Sequence, residues 1–374
     1  ETVAEQVQQF ELSADGKKLM LRRAAAPGSA PEILIVEAGP KLPAELDKAR
    51  VRWSDWQIAV DPKAEWRQMF ADAWRMQRDY FYDKDMHGVD WVAMRAKYAP
   101  LVERVTDRLE LAELMAQMVG ELSLLHSQVA PGEVRRGAEE PGIAALGAQL
   151  DRDPAGWRIG RIYQGDAELP SEASPLAAPG LNIAPGTVIT AINGRAATSA
   201  PHPAELLRGQ AGRQVLLQLR DPQGRERSVI VTPVDLRRDT QLRVNDWRYG
   251  RARAVQTASQ GRIGYLHLRA MGRDDIADFA REFYAQVDRE GLIIDVRHNN
   301  GGNIDSWILE KLLRRAWMFW QPRSPSGTKP YPNMQQAFRG HVVVLANEET
   351  YSDGETFSEG FKRLGLGPVI GVTT

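Results

Sequence analysis

The 374-residue chain carries 48 lysines and arginines against 49 acidic residues, a net charge of −1. A nearly neutral chain gives no electrostatic reason to expect binding to nucleic acid or to an anionic membrane. It contains no cysteine, which excludes thiol catalysis, thiolate metal sites and disulfide bonds. No apolar run is long enough to cross a bilayer, and the length suffices for about two or three domains.

The two ends of the chain predict that it is part of a longer protein. It begins at Glu1 with neither an initiator methionine nor the apolar core of a signal peptide. Its last residues, Pro368-Val-Ile-Gly-Val-Thr-Thr374, form an apolar run typical of a β-strand. Near the start, residues 6–37 predict short strands around an Asp15-Gly16 hairpin turn. Because a hairpin alone is marginally stable, we expect these strands to end an all-β domain that lies upstream.

Residues 61–122 have a helical pattern. Asp61 before Pro62 is typical of a helix N-cap followed by proline at the first helical position. Large side chains then recur at steps of three and four residues, which predicts core packing for Trp66, Met69, Phe70, Ala73, Trp74, Gln77, Tyr80 and Phe81. A second helix is predicted at about 107–119. It stops at Gly120, and His126 follows where the helix gives way to an extended segment.

Residues 143–235 predict a compact β-rich unit. Its strands are separated by proline and glycine, and one of them ends in an Asn193-Gly194 hairpin turn. A short helix is expected at 203–208 and further strands at 214–220 and 227–232.

Two runs in this unit, Ser174-Pro-Leu-Ala-Ala-Pro-Gly-Leu181 and Ala184-Pro-Gly-Thr-Val-Ile-Thr-Ala-Ile-Asn-Gly194, resemble the PDZ domains of bacterial proteases. Thr187 stands where those domains usually have an aspartate. The resemblance implies binding of extended peptides as an added strand, with the carboxylate-binding loop near Leu146 and Gly147.

The last part of the chain alternates strands and helices. Strands are predicted at 263–268, 292–296 and 341–346, and helices at 273–289, 304–316 and 353–363. Continuous apolar strands between helices are typical of an α/β layer with a largely parallel sheet. The carboxyl ends of such strands gather reactive groups.

Two of these strand ends carry chemically suggestive sequences, Asp295-Val-Arg-His-Asn-Asn-Gly-Gly302 and Asn347-Glu-Glu-Thr-Tyr-Ser-Asp-Gly354. The second places Ser352 on a strand-to-helix turn, where a nucleophilic hydroxyl is accessible. The backbone amide of Asp353 and that of Gly302, or alternatively Gly301, are candidates for a two-donor oxyanion hole. A serine before a helix is also typical of an N-cap, so both roles stay open at this point.

The pattern Asp295-x-Arg297-x-Asn299-x-Gly301-Gly302, followed by Ser352-x-Gly354-Glu355, resembles the serine peptidases that include carboxyl-terminal processing proteases and tricorn. The order of domains is most similar to the tricorn type. The implied fold is multidomain α+β, and its α/β catalytic domain is of the processing-protease or crotonase-like kind. The implied parts are the tail of a β-propeller at 1–40, a helical domain at 41–140, a PDZ-like domain at 141–236 and the catalytic domain at 237–374.

The resemblance implies that Ser352 is the nucleophile and that a histidine of the helical domain, His126, is its base. The family's serine just before the histidine is replaced by Leu125, which leaves Ser127 or Ser123 to orient the ring. The family's charge-orienting glutamate would lie beyond Thr374. Among the remaining histidines, His87, His202, His267 and His341 fit structural positions, and His298, beside the glycine loop, is the principal alternative base.

The resemblance also implies a serine peptidase that acts on oligopeptides as a homohexamer in the cytoplasm, or in the periplasm if the natural N-terminus directs it there. No cofactor or metal is expected, since the chain has no H-E-x-x-H motif and its histidines are dispersed. Two alternatives remain. One is a processing protease with a lysine base beyond Thr374, and the other is a non-catalytic peptide-binding protein of the same fold.

Overall fold

The computed structural model describes residues 3–24, 31–53, 56–132, 142–166, 169–170, 173–323 and 330–374. The chain divides into two compact units, Glu1–Gly137 and Ala138–Thr374. The predicted domain boundary at residues 140–141 lies outside the described residues. None of the helices in the described ranges combines the length and the apolar composition that a bilayer-spanning helix needs.

The first unit begins with an antiparallel three-stranded sheet in the order β1-β2-β3. Its strands are β1 (Val7–Leu12), β2 (Lys18–Arg23) and β3 (Glu32–Glu37). The predicted hairpin turn is present, with Gly16 at φ 70°, a conformation that favours glycine. The inward side chains of Leu21, Leu34 and Val36 form a small buried cluster. That this sheet is the tail of a β-propeller stays a prediction.

Three α-helices follow in the first unit: α1 (Pro62–Tyr80), α2 (Trp91–Tyr98) and α3 (Arg108–Gly120). Each begins after an aspartate whose carboxylate accepts hydrogen bonds from backbone N–H groups of the first turn; these are Asp61, Asp90 and Asp107. The caps satisfy donors that have no partner within the helix.

The aromatic face predicted for α1 packs inward through Phe70 and Trp74, whereas Tyr80 at the helix end is 85% exposed. The Trp74 ring N–H donates to the Trp91 carbonyl at 2.7 Å, and the Trp91 ring N–H donates to the Trp74 carbonyl at 2.9 Å. This reciprocal pair gives both buried indoles a partner and joins α1 to α2.

The second unit begins with the β-rich part. Its elements are β4 (Ala144–Ala145), β5 (Ala148–Asp153), β6 (Gly156–Ile162), β7 (Val188–Ile192), β8 (Arg195–Ala196), α4 (Pro203–Leu206), β9 (Val215–Arg220), β10 (Glu226–Val231) and β11 (Val234–Asp235). An antiparallel sheet runs in the order β10-β9-β7-β6-β5, β8 pairs with β7, and β11 pairs with β4. The predicted turn at Asn193 and Gly194 has φ 47° and 77°, as its hairpin type requires.

The rest of the second unit is an α/β layer. Its elements are α5 (Leu236–Ala258), β12 (Ile263–His267), α6 (Asp275–Tyr284), β13 (Gly291–Asp295), α7 (Asp305–Leu313), β14 (Phe319–Trp320), β15 (Tyr331–Pro332), β16 (His341–Ala346), α8 (Asp353–Arg363) and β17 (Val369–Gly371). Strands β12-β13-β16-β17 form a parallel sheet, as predicted. Helices α6 and α7 end earlier than expected.

Because the four strands are parallel, their carboxyl ends lie at one edge of the sheet. The core beneath that edge is built from Ile294, Val344, Phe279, Phe357 and neighbouring apolar side chains. The loops after β12, β13 and β16 therefore start from rigid, buried strands, and they carry both of the sequences that the motif analysis selected.

Candidate active site

The loops after β13 and β16 are joined by hydrogen bonds that backbone N–H groups donate. The Tyr351 N–H donates to the Asn299 carbonyl at 2.9 Å. The His298 N–H donates to the Asn347 side-chain oxygen at 3.0 Å. These bonds hold the two selected loops in one fixed arrangement at the edge of the sheet.

Ser352 occupies an unusual backbone conformation at this edge, with φ 55° and ψ −114°. A positive φ is uncommon for a residue with a side chain, and such strain costs about 1–3 kcal/mol and clusters at functional sites. Ser352 is half-buried and stands just before α8, as the sequence predicts. The Glu355 carboxylate accepts the Ser352 N–H at 2.8 Å, so this bond holds the turn in place.

Each of the two glycines of the β13 loop lies so close to a neighbouring residue that a side chain would not fit. Gly301 has φ 78°, and a Cβ atom at this position would lie 2.6 Å from the Ser352 Cβ and 3.1 Å from its Oγ. A Cβ atom at Gly302 would lie 1.8 Å from the Met271 carbonyl oxygen. Any other residue at either position would push the loop away from its neighbours.

The backbone amides near Ser352 differ in whether they already have a partner. The Gly301 N–H donates to the Asn299 side-chain oxygen at 2.8 Å, so this alternative oxyanion donor is already engaged. The amides of Gly302 and Asp353 donate to no group in the described part of the chain. Both amides can therefore donate a hydrogen bond to a developing oxyanion; that they form an oxyanion hole stays a prediction.

The Asp353 side chain fixes the loop that carries Gly302. Its Oδ2 atom accepts the N–H groups of Ile304 at 2.8 Å and of Asp305 at 3.0 Å, which begin α7. The side chain is 7% exposed, and its burial, together with the nearby Asp305 carboxylate, raises the pKa of Asp353. Asp353 thus provides one candidate oxyanion amide through its backbone, and its side chain anchors the segment that carries the other, that of Gly302.

Asp295, at the end of β13, is fully buried and organises the start of the glycine loop. It accepts hydrogen bonds from the Tyr265 hydroxyl at 2.8 Å and from the Arg297 guanidinium at 2.6 Å. Its hydrogen bond raises the pKa of Arg297, and burial together with its charge raises the pKa of Tyr265 far above the ordinary value. Tyr265 carried no motif signal, because in sequence it is an ordinary strand residue.

His126 lies in the first unit, in a turn that follows α3. The Ser127 N–H donates to the Leu124 carbonyl at 3.3 Å, and the His126 side chain is exposed. The preceding segment is anchored by His87, whose Nδ1 hydrogen-bonds to the Leu122 carbonyl at 2.9 Å. Ser352 lies in the second unit, so the pairing of the two residues stays a prediction.

The other histidines occupy distinct surroundings. The His298 Nδ1 contacts the Glu349 carboxylate, and its ring lies edge-on to Trp247 at 5.9 Å between centroids. His202 accepts the Ala204 N–H as a helix cap, and His341 is an exposed residue of β16. Among the histidines of the described ranges, His298 is therefore the one beside the glycine loop whose ring contacts a carboxylate.

The predicted peptide-carboxylate loop lies between β4 and β5. The Leu146 side chain belongs to the buried core, so only its backbone is available to a peptide. The Ser174 hydroxyl donates to the carbonyls of Leu146 at 3.2 Å and Gly147 at 2.8 Å. The role of Leu146 and Gly147 in peptide binding stays a prediction.

No cluster of three or more histidine, aspartate or glutamate side chains suited to holding a metal ion occurs in the described parts of the chain.

Three family models match the chain: "Tricorn protease C1 domain" at residues 62–120, "Tricorn protease PDZ domain" at residues 144–235 and "Peptidase family S41" at residues 262–374. Over 98% of its length the chain is 37% identical to "Tricorn protease homolog 1" of Streptomyces coelicolor, of which it covers 34%. Over its whole length it is 28% identical to "Tricorn protease" of Thermoplasma volcanium, of which it covers 35%.

Among solved structures, a "Crystal structure of the tricorn protease" superposes with a TM-score of 0.80 at 26% identity, over 98% of this chain and 34% of that one. The chain thus spans about a third of the length of the relatives it matches. The predicted fold class, a mixed α and β protein with a PDZ-type domain and an α/β peptidase domain, is confirmed.

Proposed function

The chain belongs to the tricorn-type branch of peptidase family S41, and on that basis we propose that it is a serine peptidase with Ser352 as the nucleophile. The observation that carries the proposal is the packing of Gly301 against a strained Ser352, where a Cβ atom would approach within 2.6 Å. An N-cap serine needs neither the strain nor the glycine. A nucleophile needs both, because substrate and oxyanion donors must approach it closely.

In the proposed reaction, the Ser352 Oγ attacks the carbonyl carbon of the scissile peptide bond, and His126 takes the hydroxyl proton. His126 then returns this proton to the leaving amine, which leaves an acyl group on Ser352. Water releases the acyl group by the same steps, with His126 again as base. The amides of Gly302 and Asp353 stabilise the oxyanion, and loss of one such donor typically costs about 100- to 1000-fold in rate.

His126 is preferred as the base because it follows α3 in the position that the tricorn type uses, on a segment that His87 anchors. Ser127 is the proposed neighbour that orients its ring. His298 is a second candidate, because its contact with Glu349 resembles the carboxylate–histidine pairing that orients a catalytic base. A lysine base beyond Thr374 is the third.

We propose oligopeptides as substrates, since the relatives are named tricorn proteases, and capture of extended peptides by the β-rich part through strand addition near Leu146 and Gly147. The proposed assembly is a homohexamer in the cytoplasm, with the periplasm as the alternative compartment. No cofactor takes part in the proposed chemistry.

A fluorophosphonate probe, which reacts with activated serines, tests the nucleophile and the base together. We expect the natural full-length protein to be labelled on Ser352 and the Ser352→Ala variant to be unlabelled. His126→Ala should slow labelling by about 100- to 10,000-fold, whereas His298→Ala, the matched control, should not.

Each other result selects an alternative. If His298→Ala alone slowed labelling, His298 would be identified as the base. Labelling that survives both histidine variants would indicate the serine–lysine mechanism. A folded protein that neither reacts with the probe nor hydrolyses peptides would be a peptide-binding protein.

A further inference from the structure

A cleft of about 440 Å³ lies beside the start of α5 and is lined by Asp235, Arg237, Arg238, Gln241 and Arg269. Three of these residues carry guanidinium groups, which stay protonated at physiological pH. The one carboxylate, that of Asp235, already accepts the Arg238 N–H at 2.7 Å as the cap of α5. The lining therefore has an excess of positive charge and of hydrogen-bond donors.

Two of the three arginines have no carboxylate partner of their own. Arg237 is exposed, and its side chain forms no ion pair or hydrogen bond with the described residues. Arg269 donates to the neutral side-chain oxygen of Gln241 and forms no ion pair in the described part of the chain. In addition, Arg237 and Arg238 stand in the first turn of α5, where the helix dipole disfavours positive charge. An anion bound among these guanidinium groups would offset both the repulsion between them and the effect of the dipole.

Arg269 is joined to the loop that packs on Ser352. The Asn300 N–H donates to the Arg269 carbonyl at 2.9 Å. The next residue is Gly301, where a Cβ atom would lie 2.6 Å from the Ser352 Cβ. With standard bond lengths, these contacts limit the distance from the Ser352 Cβ to the Arg269 Cα to about 15 Å at most. An extended peptide, which advances about 3.3–3.6 Å per residue, spans this distance in about four or five residues.

The neighbouring cleft, of about 370 Å³, has a different balance of charge. It shares Gln241 and Arg269 with the first cleft, but its lining also includes Asp275 and Asp278. These carboxylates repel an anion. An anionic group that reaches Arg269 is therefore favoured on the side of Arg237, at the start of α5.

We propose that the cleft at the start of α5 is a subsite for the acidic side chain of a glutamate or aspartate residue in a peptide substrate. Arginine suits such a group because its planar set of donors matches the two oxygens of a carboxylate. This inference rests on the proposed peptidase function, which it deepens by naming a substrate preference.

Peptides that are acetylated at the N-terminus and amidated at the C-terminus test the subsite, because the varied side chain is then their only carboxylate. The series carries glutamate, glutamine or lysine at successive positions around the cleaved bond. We expect one position at which the wild-type full-length protein prefers glutamate to both others by about tenfold or more in kcat/KM, in line with the loss of hydrogen bonds between charged groups. Because Arg237 is exposed, raising the salt concentration from about 0.05 M to about 0.5 M should reduce the preference.

Two cleft variants locate the preference. Arg237→Gln and Arg269→Gln should each reduce it to about threefold or less, since each removes a charged donor. The Arg237 side chain has no contact to lose among the described residues, so its variant should fold like the wild type. Arg195→Gln is the matched control, because it removes the same charge from an exposed position of β8 that does not line the cleft. It should keep the preference, and a preference that persists in both cleft variants would overturn the subsite.

The wild-type profile also decides the question. Equal rates for glutamate and glutamine at every position would overturn the subsite and leave the peptidase proposal intact. If the amidated peptides show no preference but a free C-terminal carboxylate raises kcat/KM, the group recognised is the chain terminus and the side-chain subsite is wrong.

Binding separates the subsite from the chemistry. The Ser352→Ala variant should bind the glutamate peptide more tightly than the glutamine peptide by a similar factor in calorimetry, and adding Arg237→Gln should remove the difference. Such a binding preference in a protein whose wild type hydrolyses neither peptide would support the subsite and overturn the peptidase proposal. Equal binding of the two peptides would overturn the subsite.

Discussion

Ser352 is held in a conformation that its own sequence does not favour. The Glu355 carboxylate bonds to its amide at 2.8 Å, and Gly301 leaves room against its side chain. Backbone strain at functional sites persists where surrounding contacts of this kind hold the strained residue in place. The proposed role of Ser352 as a nucleophile therefore depends on these neighbours as well as on its hydroxyl.

Gly301→Ala tests that dependence on the neighbours. The added Cβ would lie 2.6 Å from the Ser352 Cβ, so the β13 loop or Ser352 must move, and the oxyanion donors move with them. We expect kcat/KM to fall by about 100-fold or more, in line with the loss of an oxyanion donor, when peptide hydrolysis is measured.

Gly365→Ala is the matched control for backbone strain. Gly365 has φ 63°, but no atom lies within 4 Å of the position its Cβ would take. This variant should lose about 1 kcal/mol of stability and keep its kcat/KM. Equal activities for the two variants would show that the Gly301 contact does not position Ser352.

The sequence predicted candidate site residues but not the hydrogen bonds that each of them makes. The motif selected both glycines and left open which amide is available. The choice depends on the bond from Gly301 to the Asn299 side chain, which no spacing rule reveals. Likewise, nothing in the pattern around His267 or Arg248 indicates that each has a buried atom without a hydrogen-bond partner among the described residues, because that depends on contacts between distant segments.

At the scale of elements, the starts of α7 and α8 are tied together by Asp353. Its Oδ2 atom accepts two amides at the start of α7, while the residue itself begins α8. The residue that begins the helix after Ser352 thus fixes the start of the helix after the glycine loop.

Asp353→Ala tests this link. One buried and one half-buried amide would lose their acceptor, so we expect the free energy of unfolding to fall by about 2–4 kcal/mol, measured by urea denaturation, with a lower kcat. Asp353→Asn retains an oxygen at this position and should keep most of the stability. If the alanine variant were as stable as the asparagine variant, the two bonds would not hold α7.

His267, at the end of β12, makes stability depend on pH. Burial lowers its pKa to about 4, against about 6.5 in an unfolded chain. The unfolded chain therefore takes up a proton on this histidine at a higher pH than the folded protein does. Stability is fully present above about pH 6.5 and is lost as the pH falls towards 4. Between about pH 7 and pH 4.5, the wild type should lose about 2–3 kcal/mol more unfolding free energy than His267→Gln.

Urea denaturation at the two pH values measures the difference, and His341→Gln, on the exposed face of β16, should follow the wild type. A His267→Gln variant with the same pH dependence as the wild type would mean that this histidine is readily protonated in the folded protein.

The strands and most helices were predictable because their apolar residues recur with the right period. Helix α5 was not predicted as an element. The residues it buries include Asp239, Asn245, Asp246 and Arg248, so its inner face has no apolar stripe. Its polar contacts are made with other elements, such as Arg248 with Glu282 of α6 and Asp246 with Arg161 of β6, and they become recognisable only once these elements are seen together.

At the scale of the whole molecule, the proposed chemistry requires residues from both compact units. The order of a helical part, a PDZ-type part and an α/β part was predictable from motifs and matches the family models in sequence. The proposed pairing of His126 from the first unit with Ser352 from the second is not derivable from any local pattern, because it would join residues far apart in the chain.

A peptidyl chloromethyl ketone tests the proposed pairing of His126 with Ser352 directly. The nucleophilic serine adds to its ketone carbon, and the neighbouring base displaces chloride from its methylene carbon, so the histidine becomes alkylated. We predict that mass spectrometry of the treated full-length protein finds the inhibitor on His126, and that the Ser352→Ala variant carries none there. Alkylation of His298 instead, or equal alkylation of His126 without Ser352, would contradict the proposed pair.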